Sequence, residues 1–579
     1  MEKTKRLWLG IFGAFLIATF GVAIAVYFLY AKSDYQRALE AYKQKNYVLA
    51  FDLFQKAAAD GNVGAMEKIG EIYINGYGLP RNSSQAFVWF QKAAAKGNAD
   101  AMVGLGLLYV YGDGVSLDYK QAFIWWQKAA ALGNRDAMNN IGVAYMKGDV
   151  IPQDYMQAMI WFQKAVAKGD APAMENIGEL YSFGHGVPLN YKQAIFWYQK
   201  AATMGNSDAM NGLGWFYEHG YGVERDYQQA MKWFQKAATL GNADSMNNIG
   251  WLYAHGWGVP KNPSMALTWF QDAANSGNPN AMENIGSFYE RGIGVSQNYQ
   301  EAFIWLHRAA LLGDADAMAN VGSIYERGLG IPQDYTKAMM WYQKAAALNN
   351  AEAMTGVGSL YENGLGVSVD YQQALAWFQK AAALGNSEAM SYIGWLYYNG
   401  WGVDQDYSQA MVWYQKAAAL GESEATNNIG WLYYNGQGVA QDFQQALIWY
   451  KRAAALGNSQ GIYNVGWLYQ NGQGISQDYQ QALIWYKRAA ALGHPDAMSN
   501  IGLFYQNGWG VSVDYKQAFM WYLKAASLGN AVAMYNIGML YENGEGVTKD
   551  YNQARAWFEK AAQLGYQNAE NELAKLPAQ

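Results

Sequence analysis

The stretch QQALIWYKRAAALG, Gln444–Gly457, returns letter for letter at Gln480–Gly493, thirty-six positions on. A catalytic site is written once, whereas a packing unit is written many times, and a fixed spacing of this size marks a repeat architecture. The spacing holds without insertion or deletion from residue 47 to residue 551. An aromatic residue or its replacement opens a helix in every unit, from Tyr47, Ser83 and Tyr119 to Tyr551. Tryptophan follows six residues later from Trp89 to Trp557, with Leu53 in its place in the first unit. A glycine recurs from Gly70 to Gly538, and three residues after it a tyrosine recurs from Tyr73 to Tyr541.

Each unit reads as a pair of helices. Between residues 97 and 133, Gly97 ends one helix and the Asn98 side chain caps the next. AMVGLGLLY then sets Ala101, Leu105, Leu108 and Tyr109 on one face. Gly112 and Gly114 break that helix and supply a turn with positive φ. Asp118 caps the second helix, with Gln121 placed for a capping box. Tyr119, Ala122, Trp125, Trp126 and Ala129 form its apolar stripe, and Gly133 stops it. Neither helix buries its stripe alone, so the units must stack. Glycine at the Gly106 position removes a side chain where two helices cross closely. In one unit Val150 replaces the second turn glycine, and a β-branched residue is poorly suited to positive φ, so that turn is expected to differ.

Composition excludes several classes. The 579 residues include 63 Gly, 24 Trp and 45 Tyr, a bias that reflects the period. Net charge is −6 and the cations are scattered, so no basic stripe suggests nucleic acid. Cysteine is absent, which excludes disulfides, thiolate metal sites and a thiol nucleophile. The Gly-x-Gly turns follow no strand and precede no Lys-Ser/Thr, so they are helix stops rather than phosphate loops. His185, His219 and His255 lie close along the array, but no carboxylate or thiol set completes a metal site. No nucleophile, base and orienter combine, so catalytic residues, metal and cofactor are all expected to be absent.

The N-terminus reads separately. MEKTKR, residues 1–6, precedes LWLGIFGAFLIATFGVAIAVYFLY, residues 7–30, which carries no charge. Twenty-four residues give about 36 Å of helix, enough to cross a ~30 Å hydrocarbon core with tilt. Lys3, Lys5 and Arg6 keep the N-terminus cytoplasmic by the positive-inside rule. The alternative is a signal peptide cleaved after Ala23-Ile24-Ala25, which the continuing apolar run through Leu29 opposes. Either way the remainder is exported, which in a bacterium places the repeats in the periplasm; the uncleaved anchor makes the chain a single-pass inner-membrane protein.

The unit AMxNIGxLYxxGxGVxxDYxQAxxWYxKAAxLGN resembles the Sel-one-like repeat (SLR), a relative of the tetratricopeptide repeat. The match covers residues 47 to 564. The resemblance implies a membrane-anchored, all-α, right-handed superhelical α-solenoid that binds other proteins, often in bacterial envelopes. Its organisation is expected to be a tail (1–6), an anchor (7–30), an opening cap (31–46), fourteen repeats (47–550) and a closing repeat with its cap (551–579).

In tetratricopeptide-like solenoids the first helix of each pair lines the concave face. If Ala65, Ile69, Ile72 and Tyr73 face inward, positions 67, 71 and 74 point away, with 68 and 75 on the shoulders. Position 71 carries Trp215 and Trp251, then Trp395, Trp431 and Trp467, and position 74 adds Tyr398 and Tyr434. Exposed aromatics mark candidate binding surface, and packing of the tryptophans on one another is the alternative. The regular ladder from Trp89 to Trp557 reads as structural. Position 68 carries Asn140, Asn176, Asn248, Asn284, Asn320, Asn428, Asn464, Asn500 and Asn536. This series is similar to the asparagine ladders that hold an extended peptide backbone, since an amide both donates and accepts; the alternative is a bond within its own helix. A second series, from Asn363 to Asn543, always precedes glycine and reads as helix ends. Glu290-Arg291, Glu326-Arg327 and Glu362 suggest a charged middle segment, with an ordinary solvated face as the alternative. The partner is expected to be a protein or peptide, with a glycan as the alternative.

Overall fold

The structure is a computed structural model that describes residues 33–576. Among them run thirty-one helices, from Asp34–Lys43 to Gln567–Leu573, and no strand. They form two compact units, one ending at Ala281 and one starting at Met282. Within each unit a leading helix such as Ala99–Tyr111 packs on a trailing helix such as Tyr119–Ala131. The fold is an all-α solenoid of hairpins repeating about every 36 residues. The anchor read at residues 7–30 lies outside the described residues; among those described, no helix is long and apolar enough to cross a membrane.

Helix ends follow their cap residues. The Asn98 side chain accepts from the Ala101 N–H at 2.7 Å, and Asp118 accepts from the Gln121 N–H at 3.0 Å. The reciprocal glutamine bond that completes a capping box forms at Ser33 with Gln36, whereas at Asp118 the helix start has only the first half. Gly112 and Gly114 hold φ of 65° and 73°. Val150 does not join the positive-φ residues, so its turn takes another path, as a branched side chain requires. Asn349 replaces the usual helix-stop glycine and keeps φ at 63°, which asparagine tolerates.

The recurrent helical glycine has a definite partner. A Cβ on Gly70 would lie 2.6 Å from Phe90, on Gly358 2.5 Å from Phe378, and on Gly394 2.6 Å from Tyr414. The knob in each hairpin is therefore the residue after the ladder tryptophan: Phe90, Trp126, Phe162 and their successors, all buried. The ladder tryptophans themselves are half-buried apart from the buried Trp341, and a cation one turn on covers most of them, with Lys164 Nζ 3.8 Å from the Trp161 ring centroid and Lys416 3.8 Å from that of Trp413.

Neighbouring hairpins are also joined by polar bonds. Asn242 caps its own helix through Oδ1, accepting from the Ser245 N–H at 2.8 Å. Its Nδ2 donates to Asp208 Oδ1 of the preceding repeat at 2.7 Å. The same two-ended use recurs at Asn134, Asn278, Asn350, Asn458 and Asn530. One asparagine thus fixes a helix start and the register between repeats.

Candidate functional site

The exposed row on the leading helices has three consecutive tryptophans, Trp395, Trp431 and Trp467, in helices Ser387–Asn399, Ser423–Asn435 and Ser459–Asn471. The three rings are 40 %, 44 % and 38 % exposed, so they are not spent on a core. They are nevertheless held. Trp431 Nε1 donates to the Tyr398 hydroxyl at 3.0 Å, and Tyr398 donates to Gln437 Oε1 at 3.0 Å. One repeat later Trp467 Nε1 donates to Tyr434 at 3.3 Å, and Tyr434 donates to Gln473 at 2.9 Å. Trp431 and Trp467 are thus each oriented by the tyrosine of the previous repeat, and each of those tyrosines by a glutamine in a following turn. The Trp395 and Tyr398 rings lie 5.8 Å apart and 7° from parallel. Trp395 and Trp431 thus pack against the tyrosines of their own helices, and all three tryptophans stay exposed.

Between successive tryptophans lie two cavities of the same make. One, of about 280 Å³, lies between Trp395 and Trp431, with Tyr414 in its wall and Asn427, Asn428, Gln460 and Asn464 around it. The next, of about 260 Å³, lies between Trp431 and Trp467, with Tyr450, Tyr463, Gln460 and Asn464. Neither is lined by a charged residue. Burial pushes the Tyr414 and Tyr450 phenols well above their ordinary range, so they remain neutral donors. These slots offer aromatic faces and amides, the groups that hold uncharged main chain, apolar side chains or sugar rings, and nothing that attacks a bond.

The asparagine series is largely engaged between repeats. Asn176 donates to Asn139 at 2.9 Å, Asn248 to Asn211 at 3.0 Å, and Asn464 to Asn427 at 2.9 Å. Asn320 donates to Glu283 at 3.2 Å and Asn500 to the Tyr463 hydroxyl at 3.4 Å, while Asn536 bonds Tyr522. Asn140 and Asn284 stand half-buried at the same position. Asn428 and Asn464 are the two that also line the slots. The Asn-Gly series behaves as helix ends do: Asn399, Asn435 and Asn471 donate to the carbonyls of Trp395, Trp431 and Trp467 at 2.8–3.0 Å.

Trp215 and Trp251 belong to the other unit. Their rings stack with His219 at 4.6 Å and His255 at 4.7 Å, and each histidine Nδ1 bonds the tryptophan's own carbonyl at 3.0 Å. His185 stacks on Tyr155 at 4.5 Å. These histidines serve as aromatic partners, and the described residues hold no group of three metal-ligating side chains. Arg327 pairs with Glu290 of the preceding repeat at 3.1 Å, and Arg291 is exposed at its helix end. Neither arginine lines the slots. Sequence reasoning missed Gln437, Gln473, Gln460, Tyr414 and Tyr450; the signal that was available for the first two is the return, with one change, of WLYYNGQG at 431–438 as WLYQNGQG at 467–474.

Stacked helical hairpins at one fixed spacing define a repeat scaffold. Fifteen consecutive segments, from 29–62 and 63–98 to 531–566, match the Sel1 repeat, and the chain belongs to the Sel1 repeat family. A protective antigen of uropathogenic Escherichia coli strains, described as displaying an SLR fold, is 30 % identical, with 85 % of this chain and 98 % of that one covered and a TM-score of 0.48. A Sel1 repeat protein of Oxalobacter formigenes is 31 % identical over 54 % of this chain and 90 % of its own, with a TM-score of 0.42. No curated protein matches the chain.

Proposed function

We propose that this chain is a membrane-anchored, exported scaffold without catalytic activity, which holds a segment of a partner protein across Trp395, Trp431 and Trp467. Sel1 repeat proteins are generally protein-interaction scaffolds. The observation that carries the reading is the pair of equivalent, uncharged slots framed by Trp395, Trp431 and Trp467, of which Trp431 and Trp467 are fixed by hydrogen bonds before any ligand arrives. Preorganised aromatic anchors lose little entropy on binding, which is why such residues dominate interface energetics. The uncharged stretch at 7–30 would tether the array to the inner membrane with the repeats in the periplasm. The test is crosslinking in the native envelope, followed by mass spectrometry, with the unaltered chain and with Trp395, Trp431 and Trp467 all changed to Ala. Loss of one crosslinked protein from the triple variant is the expected result; identical crosslinks from both would remove these residues from the account.

A second reading has its own support. Aromatic faces beside amides, with no charge, also suit a neutral glycan. Co-sedimentation with purified cell-wall material that depends on the three tryptophans would establish it instead.

A further inference from the structure

The cavity that precedes the two slots is of a different kind. It encloses about 740 Å³ between Glu362, Tyr371, Tyr392, Trp395, Trp401 and Glu424. Its walls are rings: Trp401 stacks on Tyr371 at 5.1 Å and stands edge-on to Trp395 at 6.1 Å. Glu362 is only 9 % exposed, and no hydrogen bond or ion pair reaches its carboxylate among the described residues. Burial alone pushes its pKa above the usual carboxylate range. Glu424, by contrast, is satisfied by the Asn458 amide at 2.8 Å.

Tyr392 is shared with an adjoining cavity of about 440 Å³, which Glu326, Glu352 and Glu388 line. Five carboxylates therefore face these two spaces, and no Lys, Arg or His lines either. A buried carboxylate without a counter-charge is costly, and aromatic faces attract cations most strongly where water is excluded. Charge complementarity names the missing group.

We infer that this cavity receives the cationic head of a lysine or arginine on the partner segment, with Glu362 as counter-charge and Tyr371, Tyr392, Trp395 and Trp401 as cation–π walls. The inference rests on the scaffold reading above and adds the partner's chemistry: a positive residue, then uncharged residues over the slots between Trp395 and Trp467. Cavity and slots meet at Trp395, which lines both, so one continuous segment serves them.

The test titrates the full-length protein, by tryptophan fluorescence, with the nonapeptide acetyl-Ala-Ala-Lys-Ala-Leu-Ala-Ala-Leu-Ala-amide and its arginine, norleucine and glutamate forms at the lysine position. The lysine and arginine forms should bind at least tenfold more tightly than the norleucine form, and the glutamate form most weakly. Glu362→Gln should erase the tenfold preference and leave norleucine binding unchanged. It should unfold no lower than the native chain, because an unpaired buried charge has gone. Trp401→Leu, which keeps that charge and removes one wall, should reduce the preference severalfold. Equal affinity of the lysine and norleucine forms, or no response to the lysine form, overturns the cation site. If the norleucine form still responds and Trp431→Ala removes that response, the scaffold reading survives alone. A response to chitohexaose and to no peptide overturns both.

Discussion

Gly358→Ala is predicted to destabilise the chain even though alanine is the better helix former. The new Cβ would lie 2.5 Å from Cε1 of Phe378, whereas carbon atoms rest at about 3.5–4.0 Å. A movement of about 1 Å is required of a ring that is wholly buried and has no water to move into. Overpacking of this kind costs ~1–3 kcal/mol, and the helix propensity of alanine over glycine returns about 1 kcal/mol. The high end of the packing range applies because the ring is immobile, so the net loss is about 1–2 kcal/mol. Phe378→Ala alone should cost ~3–5 kcal/mol through the cavity it leaves. In that background Gly358→Ala should be neutral or stabilising, because its obstacle has gone, and the two effects should couple by about 1–3 kcal/mol. Stacked repeats open locally, so the assay is hydrogen exchange with mass spectrometry on helices Ala351–Asn363 and Tyr371–Ala383. Slower exchange in Gly358→Ala than in the native chain would refute the close-crossing account of the whole glycine ladder.

Other outcomes follow from the same geometry. Asn242→Ala should cost about 2 kcal/mol by local hydrogen exchange, more than a lost cap, because Asp208 also loses its partner. Asn242→Asp keeps the cap but sets a second carboxylate against Asp208, and should recover stability as the pH is lowered. The carboxyl of Glu175 is pushed up to about 8, first by burial and then by Glu179 and Asp208. A folded pKa above the unfolded value means that stability is fully present below the unfolded pKa of about 4.5 and is lost as pH rises through about 8. Thermal unfolding should therefore fall between pH 5 and pH 8, and Glu175→Gln should flatten the profile. The buried Trp126 Nε1 has no hydrogen-bond partner among the described residues, so Trp126→Phe, the residue found at the equivalent Phe90 and Phe162, should unfold at the same temperature or higher.

The helix pairs were legible because every unit states the same caps, glycines and apolar stripe at one spacing. The close crossing at Gly106 was legible too, but its partner was not. Trp125 and Trp126 share one stripe, and a helical period alone does not say which of two adjacent residues enters the crossing; the more regular ladder drew the eye from the buried knob. The tryptophan row at position 71 was visible as aromatics on an outward face. Tyr398 and Tyr434 were visible beside it, but the glutamines that hold them were hidden, since Gln437 sits in a turn thirty-nine residues from Tyr398 and the path of a turn is not written in helical periodicity. Glu362 was misplaced for a related reason. A wheel turns its position outward, and burial comes from rings of its own turn and the next repeat, such as Tyr371 and Trp395, that a single-helix wheel ignores.

Two slots built from the same positions, one repeat apart, cannot tell one frame of a guest from another shifted by a single unit. What settles the frame is where the series stops. Ser359 stands at the tryptophan position on one side and Leu503 on the other, so the ruler has only three marks and two spaces between them. A chain enlarged by one further copy of the hairpin Ser423–Asn435 and Phe443–Ala455 would have another equivalent berth, and a bound segment would then hop between frames.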